Sequence, residues 1–292
     1  MEKGSISEKD TSFFMKGSAI MICKEYPISV EGSTKDAKLT TYLISHSESI
    51  DIMERPMIII CPGGGYEYVS DREGEMLALQ WAAYGYHAAV LRYSIAPAVY
   101  PTALLELASV VKMMKEHAKE WHIIPDKILV QGSSAGGHLA ANYAMFWKKP
   151  FLAEKLGVSS DMLRPAGVIL NYPVITSGEY AHEGSFRNLL GSDYDTKKEE
   201  LSLENQVTDD MPPAFIWHTN EDGSVPAENS LFLALAMRQK GISVELHLYA
   251  KGGHGLSLAD ERTVSRERKE IIPECQSWIT LANTWMKEVM LA

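Results

Sequence analysis

The residues with the clearest capacity for chemistry lie in Gly132-Ser133-Ser134-Ala135-Gly136. A serine with glycine two positions away on either side is the pattern of a sharp turn that pushes the hydroxyl out of a sheet, where neighbouring backbone leaves no room for side chains. Only Ser134 has glycine at both positions, and in a chain this long the pattern arises by chance about 0.1 times. A serine hydroxyl is a weak nucleophile, so it needs a base to take its proton and an acid to hold that base in the correct tautomer. His254, in Lys251-Gly252-Gly253-His254-Gly255, is the candidate base, and Asp222, in Glu221-Asp222-Gly223-Ser224-Val225-Pro226, is the candidate acid. Acyl transfer through such a serine also needs N–H donors where negative charge develops on the carbonyl oxygen. Pro62-Gly63-Gly64-Gly65-Tyr66 can supply them, because backbone without side chains can approach a substrate closely.

Each of these candidates competes with a plainer reading. Three glycines after a strand also make a flexible turn, and a phosphate cradle is the weakest option because neither a Lys-Ser/Thr pair nor G-x-G-x-x-G spacing is present. His254 among glycines could be a surface turn. His218 and His247 fall inside strands and read as structural, and His138, one turn into the helix after Ser134, reads as packing or hydrogen bonding locally. His46, His87, His117, His122 and His182 have no motif context. Asp209, Asp210 and Glu221 are rivals for the acid, but Asp209 and Asp210 precede a strand and belong to its opposite end, while Glu221 reads as solvated. Cys23, Cys61 and Cys275 are widely spaced with no C-x-x-C pair, and there is no H-E-x-x-H, so the expectation is no disulfide, no metal and no cofactor.

The elements that must position these residues follow from hydrophobic patterning. Ile128 to Val130 is a short apolar strand running into the Ser134 turn, and the small and apolar residues to Trp147 form the helix that follows. Met57 to Cys61 is apolar throughout, as expected of a central parallel strand buried on both faces, and it ends at the glycine loop. Lys38 to Ser45 reads as an early strand suited to antiparallel pairing, and His87 to Leu91, Ala166 to Asn171, Ala214 to His218 and Val244 to Tyr249 as further strands. Helices are expected over Glu73 to Tyr84, after Pro101, after Pro226 and at the carboxyl terminus, where Trp278, Leu281, Ala282, Trp285 and Val289 share one face. This alternation predicts an α/β fold, one domain over residues 1–292 with a mostly parallel, doubly wound sheet. Residues 1–18 form an N-terminal arm in this reading. The polar, weakly periodic stretch 173–213 is an insertion that shapes the substrate pocket.

Composition narrows the function classes. Hydrophobic residues make up 46% and charged residues 23% of the 292, the mixture of an ordinary globular protein. With 28 basic against 38 acidic residues the net charge is −10, which disfavours nucleic acid and anionic membrane as partners. The first twenty residues carry charge throughout and lack an apolar signal core, so a cytoplasmic location is expected. The expected partner is a small-molecule ester, and homo-oligomer formation is compatible with the sequence.

From about residue 38 the chain resembles the α/β-hydrolases. Within them, C-P-G-G-G-Y, Y-P-T-A-L-L-E, G-S-S-A-G-G-H-L-A, D-G-S-V-P and G-G-H-G resemble the carbohydrate-esterase and acetylesterase group often labelled xylan esterase or xylanase-like. In that superfamily the triad follows the order serine, acid, histidine. The resemblance implies Ser134 as nucleophile, Asp222 as acid and His254 as base, with the backbone amides of Gly64, Gly65 and Ala135 as oxyanion donors. Pro62 departs from the histidine that relatives often carry before the glycines. The implied activity is a serine carboxylesterase acting on short, acetyl-type esters, sugars or xylo-oligosaccharides among them. Arylformamidase-like amide hydrolysis, peptidase activity and a non-catalytic ligand-binding role on the same fold are the alternatives.

Overall fold

The computed structural model describes residues 21–47 and 49–291; the expected arm over residues 1–18 lies outside them. Eight strands form one sheet: β1 (Ile22–Pro27), β2 (Lys38–Leu43), β3 (Arg55–Cys61), β4 (His87–Arg92), β5 (Ile123–Ser133), β6 (Gly167–Asn171), β7 (Ala214–Thr219) and β8 (Val244–Tyr249), in the order β1-β2-β4-β3-β5-β6-β7-β8. The pairs β1–β2 and β2–β4 are antiparallel and all others are parallel. Helices α1 (Glu75–Ala83), α2 (Thr102–Glu116), α3 (Ala118–Trp121), α4 (Ala135–Phe146), α5 (Pro150–Leu156), α6 (Glu183–Leu190), α7 (Tyr194–Lys197), α8 (Glu228–Gln239) and α9 (Trp278–Leu291) alternate with the strands or occupy the connections.

The apolar run of β3 explains the layering. Successive side chains of a strand point to opposite faces. Met57, Ile59 and Cys61 join the core that also holds Leu104, Leu107 and Val111 of α2, Ala140 and Ala144 of α4 and Leu233 of α8. Ile58 and Ile60 join the other core, with Leu77 and Trp81 of α1 and Trp278, Ala282 and Trp285 of α9. A strand that must be apolar on both faces cannot alternate, and this is why it reads as an unbroken run.

Three elements differ from the sequence expectation. β1 is an edge strand whose side chains are mostly exposed; it is held by backbone pairing to β2 and so carries no burial pattern to read. β5 begins at Ile123 rather than Ile128 and pairs with β3 across a register shift between Arg55 and Met57, the irregularity that accommodates its polar start at Pro125-Asp126-Lys127. The stretch 173–213, read as polar and weakly periodic, contains α6, α7 and several 3₁₀ turns, with Phe186, Leu189, Leu190 and Leu203 buried.

Two fully buried histidines make the fold sensitive to acid. His87 accepts the N–H of Ile44 at Nδ1 and faces the carbonyl of His122 at Nε2, and His138 bridges the Tyr66 hydroxyl at Nδ1 and the Leu201 carbonyl at Nε2. In His87 the Ile44 N–H makes Nδ1 an acceptor, which fixes the neutral form; in His138 the Leu201 carbonyl makes Nε2 the donor and the Tyr66 hydroxyl can donate to a neutral Nδ1. Burial, partly offset by the backbone hydrogen bond, lowers both pKa values from 6.5 to about 4. Between those values the unfolded chain binds protons that the folded chain does not, so stability is fully present above pH about 6.5 and falls as the pH drops toward about 4. The expected slope is about 1 kcal/mol per pH unit for each histidine. Thermal unfolding should show a clearly lower midpoint at pH 5 than at pH 7.5, and His138→Asn should flatten the difference; equal midpoints would contradict this account.

Candidate active site

The turn after β5 is forced by backbone crowding. Ser134 has φ 54° and ψ −120°, a left-handed conformation that costs a non-glycine residue about 1–3 kcal/mol. A Cβ on Gly132 would collide with the carbonyl of Gly136, and one on Gly136 with the carbonyl of Cys61. Hydrogen bonds from Ser134 N to Asn171 O (3.0 Å) and from Val174 N to Ser134 O (3.0 Å) fix the turn against the end of β6. The strained serine is thus held by β3, β5 and β6 together.

Three sequence-predicted side chains converge there from the carboxyl ends of β5, β7 and β8, where open parallel sheets place their sites. His254 Nε2 lies 2.7 Å from Ser134 Oγ, and His254 Nδ1 lies 2.6 Å from Asp222 Oδ2. Asp222 is buried. Its Oδ1 accepts the N–H groups of Ser224 (3.0 Å) and Val225 (2.9 Å), and its Oδ2 also faces His218 Nε2 at 3.2 Å. Burial alone would raise the pKa of this carboxyl, but the hydrogen bonds from His218 and His254 outweigh it and hold the group well below the ordinary carboxylate range. An ionised acid fixes Nδ1–H as donor and leaves Nε2 free to accept the serine proton. This series can activate a hydroxyl.

The glycine loop completes the site. Gly64 and Gly65 have φ of +126° and +64°, and a Cβ on Gly64 would overlap the backbone of Tyr68. The loop is tied down by hydrogen bonds from Tyr93 Oη to Pro62 O (2.7 Å), from Gly63 N to Glu73 Oε2 (2.8 Å) and from Asn188 Nδ2 to Gly65 O (2.9 Å). Among the described residues the backbone N–H groups of Gly64, Gly65 and Ala135 donate to no other backbone or side chain; Ala135 opens α4, so its N–H has no partner within the helix. A cavity of about 300 Å³ is lined by Gly64, Gly65, Tyr68, Ser134, His182 and His254. Two of the unpartnered donors, Gly64 and Gly65, line a cavity that also holds a serine and its base, and the third, Ala135, directly follows that serine, an arrangement suited to an oxyanion.

The rival acids lie elsewhere or play another part. Asp209 and Asp210 line a separate cavity of about 760 Å³ with Lys115, Lys148 and Arg164, and Asp210 pairs with Lys148 at 2.7 Å. Glu221 is exposed, yet its Oε2 accepts the N–H of Gly252 at 3.1 Å, steadying the loop that carries His254. Among the described residues no group of three or more His, Cys, Asp and Glu side chains could hold a metal ion, and no helix is long and apolar enough to cross a membrane.

Comparison with known proteins then places the chain. A family model named BD-FAE matches residues 46–237. The chain belongs to the BD-FAE family. Its similar relatives include Endo-1,4-beta-xylanase B of Butyrivibrio fibrisolvens, 36% identical over 74% of this chain and 34% of the relative, and Acetylxylan esterase of Xylanibacter ruminicola, 28% identical over 76% of this chain and 45% of the relative. The chain therefore spans between a third and a half of the length of these curated relatives. Among solved structures, an acetyl ester-xyloside bifunctional hydrolase from Caldicellulosiruptor lactoaceticus is 35% identical, with a TM-score of 0.75, over 87% of this chain and 88% of that one. The fold of this BD-FAE member is the α/β-hydrolase fold.

Several residues around the BD-FAE site carry no sequence signal. Glu73 and Tyr172 are buried polar groups whose partners are distant in sequence. His218 is hydrogen-bonded within the core, to Ser230 Oγ (2.7 Å) and Val225 O (2.9 Å), and in addition touches Asp222. His138 packs as expected, against Phe186 and Tyr66, but its hydrogen-bond partners Tyr66 and Leu201 are tertiary rather than local. His182, without motif context, caps α6 by accepting Ser185 N–H and lines the cavity; burial, and then the charge of His254, lower its pKa.

Proposed function

We propose that this protein is a serine carboxylesterase that hydrolyses short acyl esters, acetyl above all, of polar alcohols such as sugars and xylo-oligosaccharides. The observation that carries the reading is the unbroken series Ser134–His254–Asp222, with spacings of 2.7 and 2.6 Å, beside the unpartnered N–H groups of Gly64, Gly65 and Ala135. Ser134 Oγ attacks the acyl carbonyl as its proton passes to His254 Nε2, and Asp222 stabilises the imidazolium that results. The carbonyl oxygen takes the negative charge and is held by the three N–H donors. Collapse of the tetrahedral intermediate breaks the ester C–O bond, and the alcohol leaves with the proton from Nε2. Water then attacks the acyl-enzyme with His254 again as base, releasing the acid and restoring Ser134.

The walls of the cavity support short acyl groups and a polar alcohol. The cavity is small, and Glu67, Ser70, Arg72, His182 and Ser224 make much of it polar, unlike the broad apolar face that binds lipid. The names of the xylan-related relatives agree with a sugar alcohol. A panel of 4-nitrophenyl esters from acetyl to long chains, acetylated xylo-oligosaccharides and N-formylkynurenine tests the reading. Turnover should be highest with acetyl and fall steadily with chain length. A rise toward long chains, or faster cleavage of N-formylkynurenine than of any ester, would refute it.

A further inference from the structure

Glu73 is a buried carboxylate that the reaction sequence leaves without a role. It lies in a short turn, Asp71–Glu73, just before α1. Its Oε2 accepts the N–H of Gly63 at 2.8 Å and its Oε1 accepts the hydroxyl of Tyr172 at 2.6 Å. Gly63 adjoins the proposed oxyanion donors: a Cβ placed on it would lie 2.7 Å from Glu73 Oε2 and 2.9 Å from the Cβ of Ser134.

Tyr172 carries the connection onward. It follows β6 with φ 37° and is almost fully buried. Its hydroxyl accepts the N–H of Ser257 at 2.9 Å, and its ring meets that of His254 edge to face with centroids 5.1 Å apart. Burial, and then the charge of Glu73, hold its pKa well above the ordinary phenol value, so it stays a donor to the carboxylate. The neighbouring residue grips the same loop. Arg72 donates from Nη2 to Gly255 O (2.9 Å) and from Nε to Thr263 O (2.6 Å), while Ser257 Oγ donates to Arg72 O (2.8 Å). Two consecutive residues therefore bind the glycine loop on one side and the histidine loop on the other.

We propose that Glu73 is a positioning residue that, through Tyr172, joins Gly63 of the glycine loop to Ser257 of the histidine loop and so fixes the distance between the oxyanion donors and the base. This rests on the serine-esterase reading. Both of its partners are donors, and only a carboxylate can accept at both oxygens; an amide would turn an N–H₂ group toward one of them. Misplacing preorganised donors costs stabilisation that exists in the transition state alone, which lowers turnover without weakening ground-state binding.

The test uses the full chain with Glu73→Gln, Tyr172→Phe and the double variant, measured on 4-nitrophenyl acetate, together with the affinity of a trifluoromethyl ketone that forms a tetrahedral adduct on serine. Glu73→Gln should lower kcat by at least tenfold, leave KM within threefold, and weaken the adduct by the same factor as kcat. Tyr172→Phe should lower kcat in the same pattern, and the double variant should be no worse than about the poorer single one, because both break one connection. Tyr172→Phe removes only an oxygen, so it decides the matter if Glu73→Gln does not fold. A folded Tyr172→Phe with kcat and adduct affinity within twofold of the parent overturns the proposal, as does a loss expressed in KM alone. Labelling of the parent by a fluorophosphonate separates the two readings. If Ser134 is labelled while the variants behave as the parent, only the positioning role falls; if Ser134 of the parent resists labelling, the esterase reading falls and takes the positioning role with it.

Discussion

Ser134→Ala will lower turnover of an acetyl ester by about 10⁶-fold, the size of effect that follows when a nucleophile is removed from a set of residues acting as one unit. The protein should stay folded, because the side chain is small and the turn is held by Gly132, Gly136 and the bonds to Asn171 and Val174 rather than by the hydroxyl. A companion variant separates chemistry from strain. Ser134 has φ 54°, which glycine adopts without the steric cost that serine and alanine share. Ser134→Gly should therefore be as inactive as Ser134→Ala yet unfold at a higher temperature, by an amount matching relief of about 1 kcal/mol or more. If Ser134→Ala kept more than a hundredth of parental turnover, the nucleophile would have to be sought elsewhere.

Asp222→Asn will cost about 10⁴ in turnover, through the tautomer of the base rather than through its position. The amide oxygen can take over the N–H bonds of Ser224 and Val225 now made by Oδ1. Its N–H₂ then faces His254 Nδ1, which must become the acceptor, so the ring proton moves to Nε2 and cannot make room for the serine proton. Glu221→Gln, Asp209→Asn and Asp210→Asn remove the same charge and serve as controls. Asp210 forms a surface pair with Lys148, a contact worth at most about 1 kcal/mol, and Glu221 supports one N–H of the histidine loop. Each control should stay within roughly tenfold of the parent, about 1.4 kcal/mol of barrier. Turnover and thermal unfolding of all four variants check this; normal turnover in Asp222→Asn with collapse in a folded control would mean that the acid is wrongly assigned.

What could be read from the sequence is what crowding or symmetry of burial imposes locally. Gly132 and Gly136 were legible because backbone passes within collision distance of any side chain there, and β3 because burial on both faces leaves no polar position. His254 and Asp222 were legible because each sits a few residues past the end of a strand, β8 and β7 respectively. Glu73 and Tyr172 left no trace: they are 99 residues apart, and each is a single polar residue whose meaning exists only once β3, β5 and β6 are side by side. The hydrogen-bond partners of His138 were hidden for the same reason, being 72 and 63 residues away. Helix α6 is only eight residues long, too short for its periodicity to stand out from the polar stretch around it.

The core between the sheet and α1 and α9 has an optical consequence. Trp217 and Trp278 stack with centroids 5.2 Å apart and an interplanar angle of 16°, and Trp81 meets Trp278 at 6.4 Å. Indoles this close couple their intense transitions, so this layer should add an exciton contribution to the far-ultraviolet circular dichroism. Trp217 also meets Tyr172 at 5.0 Å, and Tyr172 meets the His254 ring at 5.1 Å. The chromophore cluster thus ends one ring away from His254, and a change in its spectrum is the expected sign of movement in the histidine loop, with no attached dye needed.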